Sequence, residues 1–218
     1  MRPLSLNPLN LPKLGMAWPR RGNAFSRACG RVMLHSGRWR FEGDAPELNK
    51  CVMVGAPHTS NWDAFYGLAI ILALGWHCHW MAKAAVFKGP FKKLLVWLGG
   101  ISVDRGARHG VVEQIVAEFK KRDKFFLALT PEGTRRRVDR WKTGFYYIAL
   151  QANVPILAAY IDYERRTMGF GPMFYPSGDV RRDMEKLEIF YQDKKGKRVE
   201  NFNPSICGNE EHEKAGTD

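Results

Sequence analysis

CVMVGAPHTSNWDAFYGLAIILALG, residues 51–75, decides the fold class. Its opening, Cys51–Ala56, is a short apolar run and reads as a buried strand. A polar loop containing His58, Thr59, Ser60 and Asn61 follows. The next stretch, Trp62–Gly75, is apolar and at that length reads as a buried helix.

The alternation continues along the chain. Cys78–Ala82, Ile101–Val103, Phe125–Leu129 and Pro155–Ile161 are expected strands. Pro90–Leu98 sets Phe91, Leu94, Leu95 and Leu98 at helical spacing ahead of Gly99 and Gly100. Val111–Phe119 has Val112, Ile115, Val116 and Phe119 on one helical face, and Gly144–Gln151 and Asp179–Tyr191 complete the expected helices. Strands and helices in turn imply an α/β fold: a single domain, residues 41–192, with a largely parallel sheet flanked by helices. Residues 1–40 read as a basic N-terminal arm carrying a candidate membrane-associating helix at Ala24–Ser36, and residues 193–218 as a polar, loose tail. The chain shows no internal repeat.

Composition narrows the function. A length of 218 residues suits one domain with loose ends, and 45% hydrophobic residues exclude a mostly disordered chain. Cysteines 29, 51, 78 and 207 make no CxxC pair, which argues against a disulfide scaffold or structural zinc and for reduced thiols in the cytoplasm. No segment reaches the ~18 apolar residues that span a bilayer. The first residues lack the apolar core of a secretory signal. The formal charge of +12 favours a polyanionic partner: nucleic acid, an anionic membrane surface or a phosphorylated substrate. Residues 1–50 hold nine Lys/Arg against three acids, half of that charge, with Trp18, Phe25 and Trp39 among them. This region reads either as a solvated surface or as a contact with lipid headgroups on the inner face of the membrane.

In parallel sheets, ligands sit where strands end and helices begin. Three such loops carry chemistry. In Pro57–Asp63, His58 lies at the strand end and Asp63 in the first helical turn, so the carboxylate can fold back to hold one ring nitrogen and leave the other as a general base. Ser60 and Asp63 also form a helix-capping pair, which competes as an explanation for the acid. The second loop ends in Asp104-Arg105. The third, Thr130–Arg135, has Gly133 where a ligand can approach the backbone, followed by Arg135, Arg136 and Arg137, with Lys142 nearby. Guanidinium groups bind phosphate through paired hydrogen bonds; a solvated basic loop with Glu132 as its internal ion partner is the alternative. His77 and His79 share a strand face, but without further ligands they read as structural histidines.

HTSNWD (58–63), GGISVDR (99–105), PEGTR (131–135) and VPI (154–156), in this order, resemble the four blocks of the glycerolipid acyltransferases, which include the lysophosphatidic acid acyltransferases. The resemblance covers roughly residues 41–191. It implies His58 as general base and Asp63 as its orienting partner. Arg105, Glu132, Gly133, Thr134 and Arg135 would line the acceptor's phosphate site, with Lys83 and Lys142 as further candidates. The implied reaction moves a fatty acyl group from acyl-CoA or acyl carrier protein, a donor substrate rather than a cofactor, to the hydroxyl of a lysophospholipid. No metal is required. Ser102, Thr130, Arg136 and Ala158 depart from the common family pattern and bear on which acceptor is used. Within this reading the other acceptors are a lyso-ornithine lipid or glycerol phosphate. Outside it stand a catalytically silent lipid-binding relative and a nucleic-acid-binding module. The latter rests on charge alone, since no RNP motif, zinc-finger spacing or helix-turn-helix is present, and no specific nucleic acid is expected.

Overall fold

The computed structural model describes residues 9–103 and 110–207, giving only the backbone at 82–84 and 86. Seven strands form one sheet: β1 Arg40–Glu42, β2 Lys50–Ala56, β3 Cys78–Lys83, β4 Gly100–Val103, β5 Phe125–Leu129, β6 Ile156–Asp162 and β7 Thr167–Phe174. Six α-helices accompany them: α1 Ala24–Ser36, α2 Asn61–Leu74, α3 Lys92–Trp97, α4 Val111–Lys121, α5 Gly144–Ala152 and α6 Val180–Tyr191. The strand order is β1-β7-β6-β2-β5-β3-β4. From β6 to β4 every pairing is parallel, whereas β7 runs antiparallel to β6 and β1 lies parallel to β7. The α/β fold with a mostly parallel, helix-flanked sheet is therefore as the sequence predicts.

Two strands escape the sequence pattern. β1 is three residues long, and β7 (TMGFGPMF) is interrupted by Gly169, Gly171 and Pro172. Gly171 and Pro172 fall where the β6–β7 register shifts, between the pairs Leu157–Met173 and Ala159–Phe170. A proline, lacking a ladder donor, is tolerated at such an irregularity.

Strand periodicity splits the core. Val52, Val54, Phe125, Leu127, Ile156 and Ala158 point to the face covered by α4, α5 and α6. Cys51, Met53, Phe126 and Leu157 point to the other, where α2 and the N-terminal segment pack. α1 lies against α2 at Gly30, where a Cβ would stand 2.4 Å from Ala73 N and 2.6 Å from Ala69 O, so only glycine permits this approach.

Both terminal segments differ from expectation. From Leu9 the N-terminal arm is packed: Trp18 is 1% exposed against Trp76, Phe126 and Phe170, and Trp39 is 1% exposed against Tyr66 and Tyr163. Neither tryptophan is available to lipid; of the three aromatics among the basic residues only Phe25 stays on the surface. The C-terminal tail, expected to be loose, is packed at residues 202–206. Phe202 and Ile206 are buried in the α4–α6 core beside Trp141 and Tyr191, and Glu188 accepts from Ile206 N (3.0 Å). Two apolar residues among polar neighbours suffice to fasten this stretch. Among the described residues no helix is long and apolar enough to cross a membrane.

Candidate active site

The loop from β2 into α2 begins at the carboxyl end of the central strand, the usual ligand edge of a parallel sheet. Ser60 caps α2, accepting from Trp62 N (3.2 Å), and Asp63 completes the capping box. Asp63 Oδ2 accepts from Thr59 N and Ser60 N, each at 2.7 Å, and the same oxygen stands 3.4 Å from His58 Nδ1. Its other oxygen accepts from the Tyr163 hydroxyl (2.7 Å). The carboxylate that caps α2 is thus also the one that faces the histidine, two readings that stood as alternatives on sequence grounds. Nδ1 is the ring nitrogen that faces the carboxylate. The 3.4 Å separation is long for a hydrogen bond.

Glu132 holds the histidine from the other side. Both its oxygens accept from His58 N, at 2.8 and 3.1 Å, and the side chain is buried. Burial pushes its carboxyl up to about 7, although the His58 N–H bond pulls the other way. On sequence grounds Glu132 lines a phosphate site or pairs with the neighbouring arginines; in the structure it is a strut linking the PEGTR loop to the His58 backbone.

A cavity of about 610 Å³ opens over this assembly. Residues 58–62 form one wall; Thr130, Gly133, Thr134, Arg135 and Arg136 form the next; Arg198 and Asn201 close the third. Gly133 has φ +67, and a Cβ there would stand 3.2 Å from Lys142 Nζ, so glycine both makes the turn and leaves room for the lysine. Lys142 is exposed and flanks Gly133 without reaching the cavity wall. Arg105 and the side chain of Lys83 lie outside the described residues. The structure therefore brings His58, Asp63, Gly133, Thr134 and Arg135 together, with Glu132 beneath them.

Sequence reasoning missed Tyr163, Arg198 and Asn201. Tyr163 follows β6 with no local signal beyond a tyrosine after a strand. Its hydroxyl is pushed far above the ordinary tyrosine range, first by burial and then by the Asp63 carboxylate, so it serves Asp63 as a donor. Arg198 sits in a polar stretch that resembles many solvated tails. His79 is structural: its Nε2 lies 2.8 Å from Arg122 Nη1, near the start of β3 and away from the ligand edge. Burial pushes His79 down to about 3, keeping it neutral. Among the described residues no group of three or more His, Cys, Asp or Glu could hold a metal. Cys78 is fully buried and burial pushes its thiol far up, which disqualifies it as a nucleophile.

Comparison with known proteins bears on the family and the fold. The model of the Acyltransferase family matches residues 38–162, a span that holds His58, Asp63 and the PEGTR loop. Among solved structures, the 1-acyl-sn-glycerophosphate (LPA) acyltransferase PlsC from Thermotoga maritima has the same fold. The TM-score is 0.54 at 19% identity, over 75% of each chain. No curated protein matches the sequence.

Proposed function

The chain belongs to the Acyltransferase family, and on that premise we propose that it moves a fatty acyl group from a thioester donor to the hydroxyl of a lysophospholipid such as lysophosphatidic acid. The donor is acyl-CoA or acyl carrier protein. The observation that carries this reading is His58, backed by the buried Asp63 carboxylate, on the wall of a cavity bearing three arginines. His58 Nε2 takes the acceptor's hydroxyl proton as the oxygen attacks the thioester carbonyl. A C–O bond forms, the tetrahedral adduct collapses, the C–S bond breaks, and the departing thiolate takes the proton back from the imidazolium. Asp63, held by two backbone N–H groups and Tyr163, orients the ring and stabilises its charged form during the transfer. The cationic walls suit the acceptor's phosphate.

Peripheral attachment to an anionic bilayer completes the reading. Lys92 and Lys93 of α3 sit among the exposed apolar side chains of Phe91, Leu94, Val96 and Trp97. Arg21, just before α1, lies over the Trp97 ring at 5.0 Å and adds a cation to this patch. Apolar side chains rimmed by cations match an anionic headgroup layer.

The test is incubation of the purified protein with labelled acyl-CoA or acyl carrier protein and a panel of acceptors. The panel is lysophosphatidic acid, lyso-ornithine lipid, glycerol phosphate and neutral monoacylglycerol, with products identified by mass spectrometry. Diacylated phosphate product is expected; transfer to none of them, from either donor, overturns the reading. Flotation with phosphatidylglycerol vesicles at low salt tests attachment, and protein left at the bottom of the gradient refutes it.

A further inference from the structure

The family-matched span ends at Asp162, yet one wall of the cavity is built by residues well beyond it. Residues 195–203 cross the site anchored at both ends. At the first end, Tyr163 N donates to Lys195 O (2.9 Å) and Arg198 N donates to Thr59 Oγ1 (3.2 Å). A Cβ on Gly196 would stand 2.6 Å from Thr59 Oγ1 and 3.2 Å from the Pro57 ring, so the backbone lies directly on the HTSNWD loop. Lys197 Nζ sits 5.0 Å from the centre of the Trp62 ring. At the second end, Phe202 is buried, its carbonyl accepts from Arg137 Nη1 (2.7 Å), and Asn203 Nδ2 donates to Val138 O and Asp139 O (3.1 Å each). Arg198 and Asn201, between these anchors, face the cavity.

Charge gives this placement its meaning. Arg135 and Arg136 come from one wall and Arg198 from another. Among the described residues none of the three has a carboxylate within ion-pair distance, although other surface arginines such as Arg122 and Arg165 do. Three guanidinium groups around one cavity repel each other unless an anion enters. A phosphate monoester, carrying one to two charges and several acceptor oxygens, suits them; a zwitterionic or neutral headgroup leaves the excess unmet.

We propose that Arg198, assisted by Asn201, is a specificity-determining residue that binds the acceptor's phosphate together with Arg135 and Arg136. The C-terminal segment is then part of the acceptor site. This inference rests on the acyl-transfer reading for its substrate and its kinetic test, but not for its binding test.

Steady-state kinetics with lysophosphatidic acid and with monoacylglycerol separate the outcomes. Arg198→Ala should raise KM for the phosphate acceptor about ten-fold or more while kcat changes far less, as loss of a charge-assisted bond predicts. KM for monoacylglycerol should not move, and Arg198→Lys should recover part of the loss. An unchanged KM for lysophosphatidic acid overturns the proposal. So does an equal loss with both acceptors, which would mark the segment as a strap only. Calorimetric titration of the wild type and Arg198→Ala with glycerol 3-phosphate, without acyl donor, measures anion binding independently of turnover. The Kd should rise about ten-fold, and equal Kd values or an unbound wild type refute the site. If phosphate binds through Arg198 but no acceptor is acylated, the acyl-transfer reading falls and the anion site stands.

Discussion

The two sides of the cavity are built on opposite principles. On the His58 side nearly every polar group is already engaged: Asp63 takes three donors besides facing the imidazole, and Glu132 takes the His58 N–H. On the Arg135–Arg198 side the charged groups project into the cavity without carboxylate partners among the described residues. The first is rigid because its hydrogen bonds are satisfied internally, which suits a group that must be aimed at a reacting atom. The second is unsatisfied, which suits a wall that a ligand's charge completes. Substitutions on the two sides should therefore separate turnover from binding.

The largest effect belongs to His58→Ala. It should lower kcat by roughly a hundred- to ten-thousand-fold with KM little changed, while circular dichroism shows an intact fold; a loss below ten-fold would break the contrast. Asp63→Asn should act on both turnover and stability. It disturbs the ring's orientation and weakens the α2 cap, for a cost of about 1 kcal/mol read as a lower urea midpoint. A change in only one of the two would separate roles that the geometry merges. Arg135→Ala, on the other wall, should raise KM for lysophosphatidic acid about ten-fold and leave kcat within a few-fold. A KM unaltered there would favour a neutral or zwitterionic acceptor.

The smallest effect concerns Glu132 and sharpens the picture of the rigid side. Its carboxyl titrates near 7 when folded against an ordinary value of 4.5, so the folded chain holds the proton over a range where the unfolded chain has released it. Its contribution to stability therefore falls as pH rises from about 4.5 to about 7 and is constant above. Glu132→Gln keeps an acceptor for His58 N and removes the titration. Its melting temperature relative to wild type should climb across that window and then level off. A parallel pair of melting curves across pH would show that the carboxyl is not so perturbed.

Legibility follows the range of the interactions. Phe125–Leu129 is readable to the residue because a short apolar run between charged and turn residues has few other ways to fold. α2 is readable from Ser60 and Asp63 at its start and the apolar run behind them, and its end is closed by Gly75 in the left-handed conformation. β7 is not, since its glycines and proline break the local pattern and its stability comes from β6 and β1. Trp18 and Trp39 read as lipid-facing candidates because their neighbours in sequence are cations, whereas their neighbours in space are aromatic. His58, Asp63, Gly133, Thr134 and Arg135 are legible as a set only through motif spacing. The strut role of Glu132 and the contributions of Tyr163 and Arg198 are not.

By itself the sequence determined the alternation of strands and helices, the α/β class, the helix cap at Ser60 and the family. Each is written in patterns a few residues wide, where backbone geometry repeats every two or 3.6 positions. Only the tertiary structure decided that Tyr163 braces the capping carboxylate, that Glu132 is a strut, and that the C-terminal residues form a cavity wall. Those outcomes depend on contacts between residues 74, 100 and 139 positions apart: His58 with Glu132, Asp63 with Tyr163, and Thr59 with Arg198. Such pairs meet because sheet order and core packing carry them to one edge, and no local periodicity encodes that meeting.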